Sequence, residues 1–394
     1  MTTLAASLPR LAAVTRAIDT LPDLLDARGD DGFAWLRDGT GIVTAGVAAR
    51  VAVEDAEAAL AAIETDDPLG WPGTGPLAVG ALPFDSAARG ELVIPSTVVG
   101  RRADGRCWVT EVGDRPARLH VSASAAEPSR WTVSAETTRE KWRDMVDAVL
   151  DAIDRGEVSK VVLARQVVVE ADAAPSVTRV LTQLRAQQTG CFLYHADGLI
   201  GATPELLVRR DGTRVASCPL AGTAPAGDDA AARLRASAKD AWEHRLVVDD
   251  VVATLGPVCE TLAVPAEASL TTLASVVHLA TPVDGTLREP APSALALARA
   301  LHPTPAVAGT PRDPATRLLT QLEPVPRGRY AGPVGWVDAR GDGEWAVALR
   351  GAQLDGCRAV LHAGAGIVRG SEPDAEWAET QAKLEPMLGA LIRP

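Results

Sequence analysis

The spacing of apolar and polar positions divides the chain into short elements. Residues 40–53 (TGIVTAGVAARVAV) read as extended, and VEDAEAALAAIET (53–65) reads as a helix. Thr137 and Glu140 form a capping box for a helix whose Trp142, Met145, Val146, Val149 and Ile153 share one face, closed by Arg155-Gly156. KVVLARQVVVEA (160–171) is β-branched, apolar and too short for a buried helix, so it reads as a strand. A helical stretch, SVTRVLTQLRAQ (176–187), precedes three strand-like runs: CFLYHAD (191–197), LIGATPELLVRR (199–210) and TRVASCPL (213–220). Asp-Gly pairs at 197–198 and 211–212 join them as turns. A long helix follows at about 236–255, then a Pro-rich section (282–326) expected to be mostly loop with short helices. AGPVGWVDA (331–339) and EWAVALRGAQL (344–354) read as strands, HAGAGI (362–367) as a Gly-rich turn, and a last helix starts near 374. Helices interleaved with antiparallel-looking hairpins predict an α+β fold, with large mixed or antiparallel sheets flanked by helices.

No repeat of 20–50 residues is present. The small, polar stretch 121–130 (VSASAAEPSR) is the candidate boundary. It divides an N-terminal part (1–130), expected to contribute to the fold without its own activity, from a catalytic region (131–394).

With 394 residues and 47% hydrophobic side chains, the chain can bury a large core without staples. Its 39 basic and 51 acidic residues leave a net charge of −12, which excludes a nucleic-acid or anionic-membrane binder. No apolar run is long enough to span a bilayer, and charges at Arg10, Arg16 and Asp19 break up any signal-peptide core, so a cytoplasmic protein is expected. The five cysteines are scattered and the six histidines lack zinc-site spacing. Walker A and a complete G-x-G-x-x-G are absent, which disfavours a nucleotide site.

Several carboxylates and one lysine stand out. On the C-terminal helix Glu376, Glu379 and Lys383 share a stripe, readable as a solvated acidic face or as hard oxygen ligands one turn apart, as Mg²⁺ prefers. Glu243 sits at the edge of the apolar stripe Val247, Val248, Val251, Val252 and Leu255, with Asp250 a rival ligand on the same side. Lys160 opens an apolar strand; pointing outward it is ordinary, but desolvated beside other cations it becomes a general base. Glu205 follows a proline in ATPELLVRR, and the HAGAGI backbone offers amides for an anion.

As a set and in this order these stretches resemble the chorismate-utilising enzymes: isochorismate, salicylate, anthranilate and aminodeoxychorismate synthases. The matching segments are KVVLAR (160–165), GATPELL (201–207), PLAGT (219–223), KDAWEHRLVVD (239–249) and HLAT (278–281). HPTPAV (302–307), YAGPVGW (330–336), ALRGA (348–352), HAGAGIV (362–368) and EPDAEWAETQAKLEPML (372–388) continue the series, and GALPFD (80–85) is similar to the isochorismate-forming branch.

The resemblance implies an anthranilate synthase-like fold and, with Lys160 where amine-transferring members carry Gln, a water nucleophile and no glutaminase partner. Ala221 stands where aminodeoxychorismate synthases place a lysine. Ala306 favours isochorismate synthase, with salicylate synthase as the alternative. By the same resemblance Lys160 deprotonates the water that attacks C2 of chorismate, and Glu205 protonates the departing C4 hydroxyl. Glu243 and Glu379 hold Mg²⁺, with Glu376 acting through a water. Gly222, Thr223, Tyr330, Arg350, Gly364 and Lys383 bind the substrate carboxylates, and His278 orients the ring carboxylate. Val307 replaces a commoner Leu. The expected protein is a cytoplasmic, monomeric isomerase in menaquinone or siderophore biosynthesis.

Overall fold

The computed structural model describes residues 11–393 apart from 22, 30, 116, 118–126, 274 and 275. Most of the candidate boundary at 121–130 therefore lies outside the described residues. The fold is α+β, as the element pattern predicts. Two large antiparallel sheets, of thirteen and nine strands, pack face to face, with a three-stranded sheet beside them. Among the described residues one pairing is parallel, between Ala12–Ile18 and Glu64–Asp66.

Alternation along the strands builds the layer between the sheets. Trp35, Phe192 and Tyr194 point inward from the larger sheet, and Val334, Trp336 and Ala346 from the smaller. Trp35 stacks on Phe192, and its indole Nε1–H donates to Glu344 across the interface at 2.8 Å. Helices Val177–Gln187 and Pro373–Ile392 cover the outer face of the larger sheet, burying Val180, Leu181, Leu184, Leu384, Met387 and Leu391. Helix Ala294–Leu301 packs against the smaller sheet. Among the described residues no helix is long and apolar enough to cross a membrane.

N-terminal strands lie inside both sheets. Phe192–Ala196 pairs with Ala34–Arg37, and Pro333–Asp338 pairs with Leu77–Ala81.

Three local expectations change, and a fourth gains a preceding helix. The helix at 139 is capped by Thr138, whose hydroxyl accepts from the Lys141 amide at 3.1 Å, while Thr137 is drawn into the core. The helix expected at 236–255 forms as Ala238–Leu255, its start set by the Ser237 hydroxyl, which accepts from the Asp240 amide, and a short helix not expected, Ala230–Ala236, precedes it. The Pro-rich section holds a strand, Val283–Leu287, and two helices, Ala294–Leu301 and Arg312–Leu322. HAGAGI is not a turn but the end of a ten-residue strand, Arg358–Ile367, paired along its length with Lys160–Ala171.

Candidate active site

Two runs that read as single strands each divide between the sheets. LIGATPELLVRR splits into Leu199–Thr203 in the larger sheet and Leu206–Asp211 in the smaller. Pro204 cannot donate to a ladder, so the chain leaves one sheet there and enters the other. EWAVALRGAQL divides likewise into Gly343–Val347 and Gly351–Asp355. Glu205 and Arg350 occupy the two crossings, tied by Val347 N–H to the Glu205 carbonyl (3.1 Å) and Ala202 N–H to the Arg350 carbonyl (3.3 Å). Arg350 adopts φ 51°, a left-handed conformation costly for an arginine and common where a site dictates geometry.

Around these crossings lies a cavity lined by Glu205, Gly222, Thr223, Glu243, His278, Ala306, Tyr330, Arg350, Gly364, Glu379 and Lys383, eleven of the thirteen predicted site residues. The other two are Lys160 and Glu376. Lys160 is fully buried, and its Nζ lies 2.9 Å from Glu243 Oε1 without hydrogen-bond alignment. Its neighbour is thus a carboxylate, where the base reading expected cations. Glu376 is turned to Lys239, whose Nζ donates to it at 2.8 Å. Asp250, the rival ligand, pairs with Arg312 at 3.5 Å and does not line the cavity.

Glu205 is 4% exposed, and burial pushes its carboxyl up to about 7, against the opposing charge of Lys160. Arg350 Nη2 donates to His278 Nε2 at 2.9 Å. Arginine has no acceptor, so His278 is neutral with its proton on Nδ1, which donates to Thr223 Oγ1 at 3.0 Å. Burial and then the charges of Arg350 and Lys383 hold His278 well below the usual imidazole range. Tyr330 stacks on His362 with ring centroids 5.0 Å apart, and burial raises the Tyr330 hydroxyl, which stays protonated.

Lys383 Nζ donates to Glu379 Oε1 at 2.5 Å and to the Gly364 carbonyl at 2.9 Å. Burial raises the Glu379 carboxyl, Lys383 opposes, and the charges of Glu376 and Glu243 raise it further. A cation among these three acids would relieve that repulsion. Carboxylate oxygens are hard donors of the kind Mg²⁺ takes, so the donor set fits that metal. Here each acid is paired with a lysine, and among the described residues no three His, Cys, Asp or Glu side chains already converge as ligands.

Sequence reasoning missed Lys239, His362 and Gly366. A Cβ on Gly366 would lie 2.3 Å from Glu243 Oε1 and 3.1 Å from Lys160 Cε, so glycine makes room for that pair. Read as a strand, HAGAGI places His362, Gly364 and Gly366 on one face, and all three line the cavity. Nothing in the sequence singles out Lys239.

The site is thus a cavity at the junction of the sheets in which buried carboxyl, lysine and arginine side chains are held together. The profile of the family described as "Chorismate binding enzyme" matches residues 88–392, and the chain belongs to it. The chain is 38% identical over 333 residues to the isochorismate synthase DhbC of Bacillus subtilis, covering 80% of this chain and 81% of that one. It is 39% identical over 324 residues to the isochorismate synthase EntC of Escherichia coli K12, covering 79% and 80%. The solved structure of MenF, the menaquinone-specific isochorismate synthase of Escherichia coli, superposes with a TM-score of 0.82 at 26% identity, covering 97% of this chain and 95% of that chain.

Proposed function

We propose that this chain is an isochorismate synthase, an isomerase that converts chorismate to isochorismate. The observation that carries the reading is Glu205, a buried carboxyl pushed up to about 7, near a buried lysine in a cavity that Arg350 and Lys383 also line. Such a group still carries a proton at neutral pH and can deliver it. The names of the DhbC, EntC and MenF relatives point to the same reaction.

Lys160 takes a proton from the water that bonds to C2, the ring double bonds shift, and Glu205 gives its proton to the hydroxyl leaving C4. Lys160 acts as a base only when Glu243 is engaged elsewhere, since here the carboxylate sits against its ammonium. Glu243 and Glu379, with Glu376 nearby, are the residues that would hold Mg²⁺, which when bound supplies positive charge to the ring carboxylate. Arg350, Lys383, Tyr330, Gly222, Gly364 and the Thr223 hydroxyl bind the carboxylates, with Ala306 against the ring. His278 serves them indirectly by holding Arg350 and Thr223. The reaction needs no glutaminase, and the enzyme works as a cytoplasmic monomer.

The test is product analysis with chorismate and Mg²⁺. Wild type should yield isochorismate, and Lys160→Ala and Glu205→Ala, folded by circular dichroism, should each lose on the order of 10²–10⁴ in rate. Near-normal conversion by Lys160→Ala overturns the mechanism. Salicylate with pyruvate as the main products would make the chain a salicylate synthase.

A further inference from the structure

Behind the cavity wall, among residues given no role above, lies a buried ion pair. The side chains of Glu323 and Arg327 are 8% and 3% exposed. Arg327 engages the carboxylate with two nitrogens, Nε to Oε2 at 2.9 Å and Nη2 to Oε1 at 2.5 Å. Its further hydrogen bonds go to backbone: Nη1 to the Val307 carbonyl at 2.6 Å and Nη2 to the Val162 carbonyl at 2.5 Å. Glu323 Oε1 also accepts from the Ala164 amide at 2.9 Å. The Phe84 ring covers the guanidinium at 4.4 Å, and Tyr330 lies 5.9 Å away.

A buried ion pair is weak evidence of stability, because desolvating both charges cancels most of their attraction. What this one delivers is geometry. Val162 sits two residues from Lys160, Val307 follows Ala306, and Val162, Val307 and Tyr330 all line the cavity. One rigid fork thus grips the strand that bears the lysine and the loop that bears Ala306. Phe84, from the GALPFD segment, closes the fork from behind, and its own amide donates to the Gly328 carbonyl at 2.8 Å.

We propose that Glu323 and Arg327 form a positioning pair that fixes the Lys160 strand against the Ala306–Val307 loop. This rests on the functional reading above. An ammonium cannot reproduce the fork, so Arg327→Lys keeps the charge and removes the geometry.

The experiment measures kcat, melting temperature and amide hydrogen exchange for wild type, Arg327→Lys and Phe84→Leu. The proposal expects kcat for Arg327→Lys to fall about 10–100-fold at temperatures where the variant is fully folded. The pH at which activity declines should stay as in wild type, because Glu205 is untouched. A lowered melting temperature with kcat within about twofold of wild type overturns it. Phe84→Leu removes the ring that covers the guanidinium and so loosens the fork without deleting a charge; it carries the same test, with a smaller loss, should Arg327→Lys not fold. If wild type does not isomerise chorismate, the functional reading fails, and the pair is judged by exchange alone. Faster exchange confined to residues 160–164 and 306–308 supports it; unchanged exchange there overturns it.

Discussion

A carboxyl group that titrates near neutrality is costly to keep in a fold, and Glu205 shows why one would be kept. Its folded pKa of about 7 lies above the ordinary 4.5, so its contribution to stability is full below about pH 4.5 and is lost as pH rises through 7. Glu205→Gln should therefore leave Tm nearly unchanged at pH 5 and raise it by a few degrees at pH 8, while abolishing isomerisation. In wild type kcat should decline above about pH 7 as the acid loses its proton, a limb that a pH–rate profile reads directly. Glu205 was legible as a candidate only through its neighbours in GATPELL. Its pKa was not, because desolvation depends on what packs around a carboxyl, and ATPELLVRR by itself reads as a strand with basic residues nearby. The same holds for His278, whose neutral tautomer follows from an arginine 72 residues away in sequence.

Among the elements, the strand pair Lys160–Ala171 and Arg358–Ile367 does most to shape the cavity. Val162 stands opposite Gly366 and Ala164 opposite Gly364, so small residues on one strand leave room for long polar side chains from elsewhere. Gly366→Ala should displace Glu243 from Lys160, weaken Mg²⁺ binding measured by calorimetry at least several-fold, and lower kcat, with little change in Tm. Equal Mg²⁺ affinity would show that Glu243 is free to move or is not a ligand. The strand of 160–171 was readable because it is buried on both faces over most of its length and so carries two β-branched apolar runs, broken at Arg165 and Gln166. HAGAGI was misread because glycine is a turn signal in sequence and a space-making device in a sheet, and one chain segment cannot say which. The crossings at Pro204–Glu205 and Leu349–Arg350 were hidden for a related reason: a strand that changes sheets keeps its alternation on both sides of the break.

Across the whole molecule, the site depends on strands far apart in the chain. Ala34–Arg37 and Leu77–Ala81 are interior strands, each hydrogen-bonded on both edges, so residues 131–394 expressed alone should expose two unpaired sheet edges and fail to fold. Circular dichroism and a single cooperative melt of the full chain, against an unfolded or aggregated fragment, would check this; a folded, chorismate-binding fragment would refute it.

Apolar periodicity and the residue types at the matched motifs were enough to determine the α+β class, most element positions and which side chains are chemically suited to the work, since these are properties of short stretches. Only the tertiary structure decided which sheet each half-strand joins, which lysine meets which glutamate, and how far burial moves each proton. Those depend on distances and dielectric set by residues far apart in the chain, such as Lys160 with Glu243 and Arg350 with His278, and local sequence carries no record of them.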